Sequence, residues 1–411
     1  MSGNRRMFYG ILFCLVLGFL FLGYLSKSEA AEPIKVGLLG PLKTPGGEGI
    51  RAATEMAVGE INQRGGILGR KVEPLFSDDQ FKPETGAGGY KKFAIQDQVV
   101  AVLGTASSGV ALAVMDQMAR YKVPFLPTGA ATPSITEKVE KEYGKYKYLF
   151  RVCHSSLEMA GITTDWIINY LAKEHKFKKA ALMIENAVWA RPIAEIWQKN
   201  LKDAGIEIPV FEYFDVDTKD FTPILSKIIS NKAEVICVLS SHVDSATYIN
   251  QWAGMRGPIM VGITGTASTV WGATGGKVQS MVEMGHPATA RLTPKSKPFY
   301  GTYLERYKVI PEYTSYYTYD AFYILKETIE RGKSTKPEAL VEALEKTDYD
   351  GVIGRWVFDK ASHHSKFGPG YRQMIMTQWQ QDPAKDPSYV CVVWPPNLKQ
   401  CDFIFPPWYK K

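Results

Sequence analysis

From Ile34 onward the chain alternates short apolar runs with segments whose apolar residues recur every three or four positions. Strands and helices taken in turn leave few solutions, chiefly parallel sheets whose crossovers are helices. Ile34–Leu39 (IKVGLL) reads as a strand, and Ile50–Asn62 (IRAATEMAVGEIN) as a helix stopped by Gly65-Gly66. Further strands are expected at Val72–Ser77, Val99–Leu103 and Val123–Pro127, with helices at Thr85–Gln96 and Val110–Tyr121 between them. After Leu149-Phe-Arg-Val152 the alternation starts again. Helices at Glu158–Glu174, Ile193–Ala204, Thr222–Asn231 and Ala246–Met255 interleave with strands at Ala180–Ile184, Pro209–Phe214, Val235–Leu239 and Ile259–Ile263. Helices near Lys295–Tyr307 and Ser315–Arg331, a short one from Pro337, and strands around Trp356 and Gln373 follow. The expected fold class is α/β, with two doubly wound, Rossmann-like lobes. Such lobes set the loops at their strand C-terminal ends around a shared crevice, where open α/β sheets bind ligands.

Ahead of that pattern, Arg5 and Arg6 precede an apolar run from Phe8 to Leu25, and small residues stand at Ser28 and Ala30. This is the order of a secretory signal over residues 1–30, cut before Ala31. A retained membrane anchor is the alternative, because a run of 18 apolar residues can just span a bilayer. Cys14 lacks the Leu-x-Gly/Ala context of a lipoprotein tether. The remaining chain is too long for one core and fits two domains. Losing residues 1–30 removes three basic residues and one acid, so the formal net charge of +7 becomes +5. That mild balance, without a Lys/Arg-rich run, argues against a nucleic-acid partner.

The cysteines do not form a disulfide scaffold at this length. Cys14 leaves with the signal, and Cys237 in Val235-Ile-Cys-Val-Leu239 reads as a small buried hydrophobe. Cys391 and Cys401 flank a Pro-rich loop and are either bridged or free. No Cys/His cluster has metal-ligand spacing, and His363-His364 reads as a solvated pair, so neither a metal nor a cofactor is expected. The aromatic tail Val393–Tyr409 either packs back over a lobe or serves a partner.

Five stretches, in order, resemble the leucine/isoleucine/valine-binding protein family of ABC-transport solute receptors. The first is Ile61-Asn-Gln-Arg-Gly-Gly-Ile-Leu-Gly-Arg-Lys-Val72 with Ser77-Asp-Asp-Gln80. It is followed by Val102-Leu-Gly-Thr-Ala-Ser-Ser-Gly109 and Pro124-Phe-Leu-Pro-Thr-Gly-Ala-Ala-Thr-Pro133. Tyr319-Asp-Ala-Phe-Tyr-Ile-Leu325 and Asp350-Gly-Val-Ile-Gly-Arg-Trp-Val-Phe-Asp359 complete the set, and the resemblance spans about residues 33–380. It implies a type I periplasmic binding fold, in which two lobes joined by three crossover segments close on a solute like a hinged clamp. The crossings are expected near Arg151–Cys153, Met284–Pro287 and Ile353–Trp356. Lobe I then comprises 33–151 plus 287–353, lobe II 153–284 plus 356–390, and 391–411 forms a C-terminal tail. The partners implied are a small-molecule solute and the permease subunits of an ABC transporter, with a monomeric receptor in the periplasm. Family members mostly bind branched-chain or other amino acids, and relatives take amides, urea or aromatic acids.

The candidate site follows the strand–helix junctions. In Gly104-Thr-Ala-Ser-Ser-Gly109, Ser107 and Ser108 precede a helix, where hydroxyls and unpaired N–H groups suit a carboxylate. A plain capping role for either serine is the alternative. By resemblance, the Ala130 backbone and the Thr132 hydroxyl bind the solute's carboxylate and amine, where an ordinary turn is the bland alternative. Also by resemblance, Trp189 occupies the place of an aromatic residue that packs on the ligand, unless it covers the next helix instead. His242, in Ser240-Ser-His-Val243, enters the cleft or is a satisfied structural residue. The next loop departs from the family, because Thr264 stands where amino-acid binders carry an acid, and no Asp or Glu follows through Thr269. A buried ammonium without an anion is costly. Hence Glu185 or another acid supplies the charge, or the solute has no amine and is an aromatic or aliphatic carboxylate. The tyrosine-dense run Tyr313–Tyr323 reads as the core face of a helix.

An enzyme is the rival class. Gly47-x-Gly49-x-x-Ala52 after the first strand has the outline of a dinucleotide fingerprint, but no convincing ribose-binding acid follows. No Gly-x-Ser-x-Gly elbow, Walker A loop or His-Glu-x-x-His helix occurs. A sensory receptor built on the same clamp is the third possibility.

Overall fold

The computed structural model describes residues 32–264, 269–286, 290–382 and 390–409. The signal over 1–30 lies outside the described residues, as does Pro287 of the second expected crossing.

The first lobe is built on four parallel strands, β1 (Ile34–Gly40), β2 (Val72–Asp78), β3 (Ala101–Gly104) and β4 (Phe125–Pro127), in the order β2-β1-β3-β4. The chain runs from β1 outward to β2 and then returns past β1 to β3. The switch point therefore lies between the C-terminal ends of β1 and β3, where the loops splay apart. The first helix begins at Pro45, earlier than its apolar period suggests, because Thr44 caps it and accepts from Gly47 N at 3.3 Å. Its glycines serve packing. A Cβ on Gly47 would lie 2.1 Å from Pro41 O, and one on Gly49 would lie 2.7 Å from Ser315 Oγ. Gly47 and Gly49 are thus consumed by close approach to other protein atoms, which removes the dinucleotide fingerprint.

The second lobe carries seven strands. They are β5 (Lys179–Glu185), β6 (Glu207–Phe214), β7 (Val235–Ser240), β8 (Ile259–Thr264), β9 (Val282–Gly285), β12 (Ile375–Trp379) and β13 (Val390–Trp394). Their order is β13-β12-β9-β8-β7-β5-β6, with β12 and β13 antiparallel at one edge. Here the switch point falls between β5 and β7, so the loops after Glu185 and Ser240 open at the crevice. β7 is buried along its whole length, as a strand covered on both faces must be.

Between the lobes the chain passes three times. The first passage leads into the helix Ser156–Trp166, held by a capping box in which Ser155 and Glu158 satisfy each other's backbone N–H groups. The third lies later than Ile353–Trp356. The hairpin β10 (Tyr349–Gly351) and β11 (Gly354–Trp356) is anchored on lobe I, where buried Asp320 accepts from Val352 N and from Trp356 Nε1, both at 2.9 Å. Trp356 and Phe358 join the first core, and the second core resumes only at Met374. His363 and His364 sit in this late passage and are not a solvated pair. His363 is fully buried and stacks on Phe150 at 3.9 Å, and His364 Nε2 meets Glu158 Oε1 at 2.8 Å.

Cys391 and Cys401 form a disulfide, and Cys237 is buried. The tail packs over lobe II, with Phe403 in its core and the Trp408 indole donating to Gly257 O at 2.8 Å. Among the described residues no helix is long and apolar enough to cross a membrane.

Candidate functional site

A cavity of about 130 Å³ lies between the lobes at the two switch points. Lobe I contributes Ala106 from the loop after β3, Gly129 and Ala131 from the loop after β4, and Tyr313 and Tyr316 from the start of the helix Tyr313–Gly332. Lobe II contributes Trp189, Ser240, Thr264, Glu283 and Trp379. His154 and His286 enter from the first and second passages, so the cavity floor is also the hinge.

The predicted residues divide. Trp189 and Thr264 line the cavity. Trp189 is 9% exposed, and its indole N–H has no partner among the described residues. Ser107 is the cap of the helix Ser108–Tyr121, accepting from Val110 N at 3.4 Å. The buried Ser108 hydroxyl accepts from Thr132 N at 3.1 Å and so ties the two lobe I loops together. Both serines hold the loops and neither lines the cavity.

Ala130 and Thr132 stand behind the wall, with carbonyls accepting from Cys153 Sγ at 3.3 Å and Arg151 Nη1 at 2.9 Å. Their neighbours Gly129 and Ala131 form the wall instead. In these loops the N–H groups of Ala106 and Ala131 find no hydrogen-bond partner among the described residues. They lie beside the N-terminus of the helix Ser108–Tyr121, where partial positive charge favours an anion.

His242 does not line the cavity. Its Nδ1 lies 2.6 Å from Glu185 Oε1, and its ring meets Phe81 of lobe I edge-on at 4.8 Å. Glu185, fully buried, also accepts from the backbone N–H groups of Ser241 and His242. That carboxylate is spent on the turn after β7 and does not supply the acid absent at Thr264.

Glu283 supplies it. β8 and β9 run in parallel register with Gly262 opposite Glu283, which brings the Thr264 hydroxyl onto Glu283 Oε1. Trp379 Nε1 donates to Glu283 Oε2 at 3.1 Å, fixing the carboxyl from the other side. A second acid, Glu312, also lines the wall, and no Lys or Arg does among the described residues. Burial, with the neighbouring charge of Glu283, pushes the Glu312 carboxyl up to about 8. Both histidines are neutral. Burial lowers His154 well below its usual range and His286 to about 3. One hydroxyl, that of Tyr317, lies 3.0 Å from His154 Nδ1 and 3.2 Å from His286 Nδ1. That hydroxyl ties the two buried imidazoles together.

Residues 33–384 match the family model described as periplasmic binding protein. A Leu/Ile/Val-binding protein homologue from Brucella melitensis is 25% identical over 343 residues, covering 82% of this chain and 88% of its own. Two solved structures share the fold. The substrate-binding protein of a branched-chain amino acid transporter from Streptococcus pneumoniae, in complex with isoleucine, has a TM-score of 0.75 at 22% identity, covering 85% of this chain and 96% of that one. A solute-binding protein from R. palustris in complex with benzoate has a TM-score of 0.75 at 18% identity, covering 88% and 95%. With two α/β lobes, three passages and a cavity at both switch points, the chain belongs to the periplasmic binding protein family, and its fold is the type I fold.

Proposed function

We propose that this protein is the extracytoplasmic receptor of an ABC uptake transporter, exported by its N-terminal signal, monomeric and without catalytic turnover, and that it captures an α-amino acid. The observation that carries the choice of solute is Glu283, an acid oriented on the cavity wall by Thr264 and Trp379. In this reading the α-ammonium pairs with Glu283, and the carboxylate meets the N–H groups of Ala106 and Ala131 on the opposite lobe. The charged ends of one small molecule thus bridge the two lobes and favour closure by their differential affinity for the closed form. Trp189 covers the side chain.

An aromatic acid is the second reading. Trp189, Trp379, Tyr313 and Tyr316 on the wall favour it, as does the likeness to the benzoate complex. Glu283 and Glu312 disfavour it, since an amine-free anion gains nothing from them.

Calorimetric titration of the mature protein with amino acids and benzoates separates the two. The amino-acid reading expects an amino acid to bind and to raise Tm by mass action. It expects Glu283→Gln to cost about 3 kcal/mol, roughly a hundredfold in Kd, because the ammonium loses its buried counter-charge. Tight benzoate binding that survives Glu283→Gln would replace it with the aromatic reading.

A further inference from the structure

An amino acid with an apolar side chain uses one acid, and this cavity has two. If the site is an amino-acid site as proposed above, Glu283 is taken by the α-ammonium and Glu312 needs a separate account. Glu312 is the N-cap of the 20-residue helix Tyr313–Gly332, yet its side chain makes no capping hydrogen bond. It stands half-buried on the cavity wall instead.

The groups facing it do not compensate an anion. Glu283 on β9 and Glu48 on the helix Pro45–Gln63 repel it, and together with burial they hold its carboxyl near 8. His154 and His286 are neutral, and Tyr313 and Tyr316 are phenols, Tyr313 being shifted further up by burial. An acid placed there is costly unless something positive arrives. The remaining walls suit a cation, with the rings of Tyr313, Tyr316, Trp189 and Trp379 around the same space.

We infer that the solute carries a second positive nitrogen recognised by Glu312, which makes it a diamino monocarboxylic acid of the lysine and ornithine kind. Near neutral pH the empty site holds Glu312 protonated. Binding displaces that proton to solvent, and the carboxylate pairs with the second ammonium.

Calorimetry with lysine, ornithine and leucine tests this. The expected result is that lysine or ornithine binds at least about tenfold tighter than leucine. Glu312→Gln should then cut that preference by about tenfold, the worth of one charge-assisted hydrogen bond. Titrations of the wild-type protein in two buffers of different ionisation enthalpy read the same point if the variant does not fold. Up to one proton should leave with lysine or ornithine, and none with leucine. Affinity for the diamino acid should rise as pH climbs towards 8, because the competing proton is lost. Leucine binding tighter than both diamino acids, or equal proton counts for all three, overturns the inference and leaves the amino-acid receptor standing. Binding of no amino acid at all overturns both.

Discussion

The two lobes build the cavity in different ways. Lobe I presents backbone from two turns, at Ala106 and at Gly129–Ala131, beside the first residues of the helix Tyr313–Gly332; the Ser108–Thr132 bond joins the turns and Arg151 braces the second. Lobe II presents side chains, with Glu283 fixed by Thr264 and Trp379, and Trp189 beside them. Backbone N–H groups can read a carboxylate but not one side chain against another. Side chains on a rigid sheet can do both. In the proposed reading the solute's carboxylate falls to the two lobe I turns, its ammonium to Glu283 of lobe II, and its side chain to Trp189 of lobe II and to Glu312 at the start of the lobe I helix Tyr313–Gly332. Variants in the two lobe I turns and at Glu283 should therefore weaken all amino acids alike, whereas variants at Trp189 and Glu312 should reorder them.

After Glu283→Gln, the next largest test is Gly129→Ala. A Cβ there would lie 2.9 Å from Ala106 Cα and 3.0 Å from Thr105 O, so the two turns must separate. Overpacking of this kind costs about 2 kcal/mol, roughly thirtyfold in Kd. The loss should be uniform across amino acids in calorimetric titrations, with the ranking of solutes kept. A changed ranking would mean that the two turns also read the side chain.

Trp189→Ala should cost about tenfold, since it removes a ring from the cavity wall and leaves its lobe folded. The effect should be uneven, greatest for the solute with the longest side chain. A uniform loss, seen in the same titrations, would erase the distinction between the lobes.

The fold was legible because its periods are local. Strands of the β5 and β7 kind are short apolar runs between helices, and no tertiary contact is needed to recognise them. The third passage was misplaced because Trp356 looks the same whether it packs on one lobe or the other. The deciding contact is the buried Asp320, whose bonds to Val352 and Trp356 join residues 32 and 36 positions apart. The site was legible to the loop and missed by a single residue. Gly129 and Ala131 line the wall while Ala130 and Thr132 do not. In this loop neighbouring residues face different ways, so a shift of one residue exchanges the inside for the outside. Glu283 was missed for another reason. The acid was sought along the chain after Thr264, and it arrives laterally from the next strand. An acid inside the short apolar run Val282–Gly285 was the signal that could have found it. Tyr313 and Tyr316 show that a helix can serve the core and the cavity at once, because its first turn ends at the crevice.

The smallest effect belongs to His242, which joins the lobes outside the cavity. Its side is rigid, because buried Glu185 holds both the ring and the backbone of the turn. The opposite side is equally fixed. Phe81 N donates to Asp79 Oδ1 at 2.9 Å, and Asp79 Oδ2 accepts from Thr105 Oγ1 at 2.7 Å. The Phe81–His242 contact at 4.8 Å can exist only while the lobes are together, so it adds to the closed form and not to the open one. An edge-on aromatic pair contributes about 0.7 kcal/mol, so His242→Ala should release solute about threefold faster. The association rate should hardly change, because the contact forms after capture. Stopped-flow release measured on His242→Ala and Phe81→Ala, singly and together, checks this. The double variant should lose no more than either single one, and additive losses would place the two rings in separate roles.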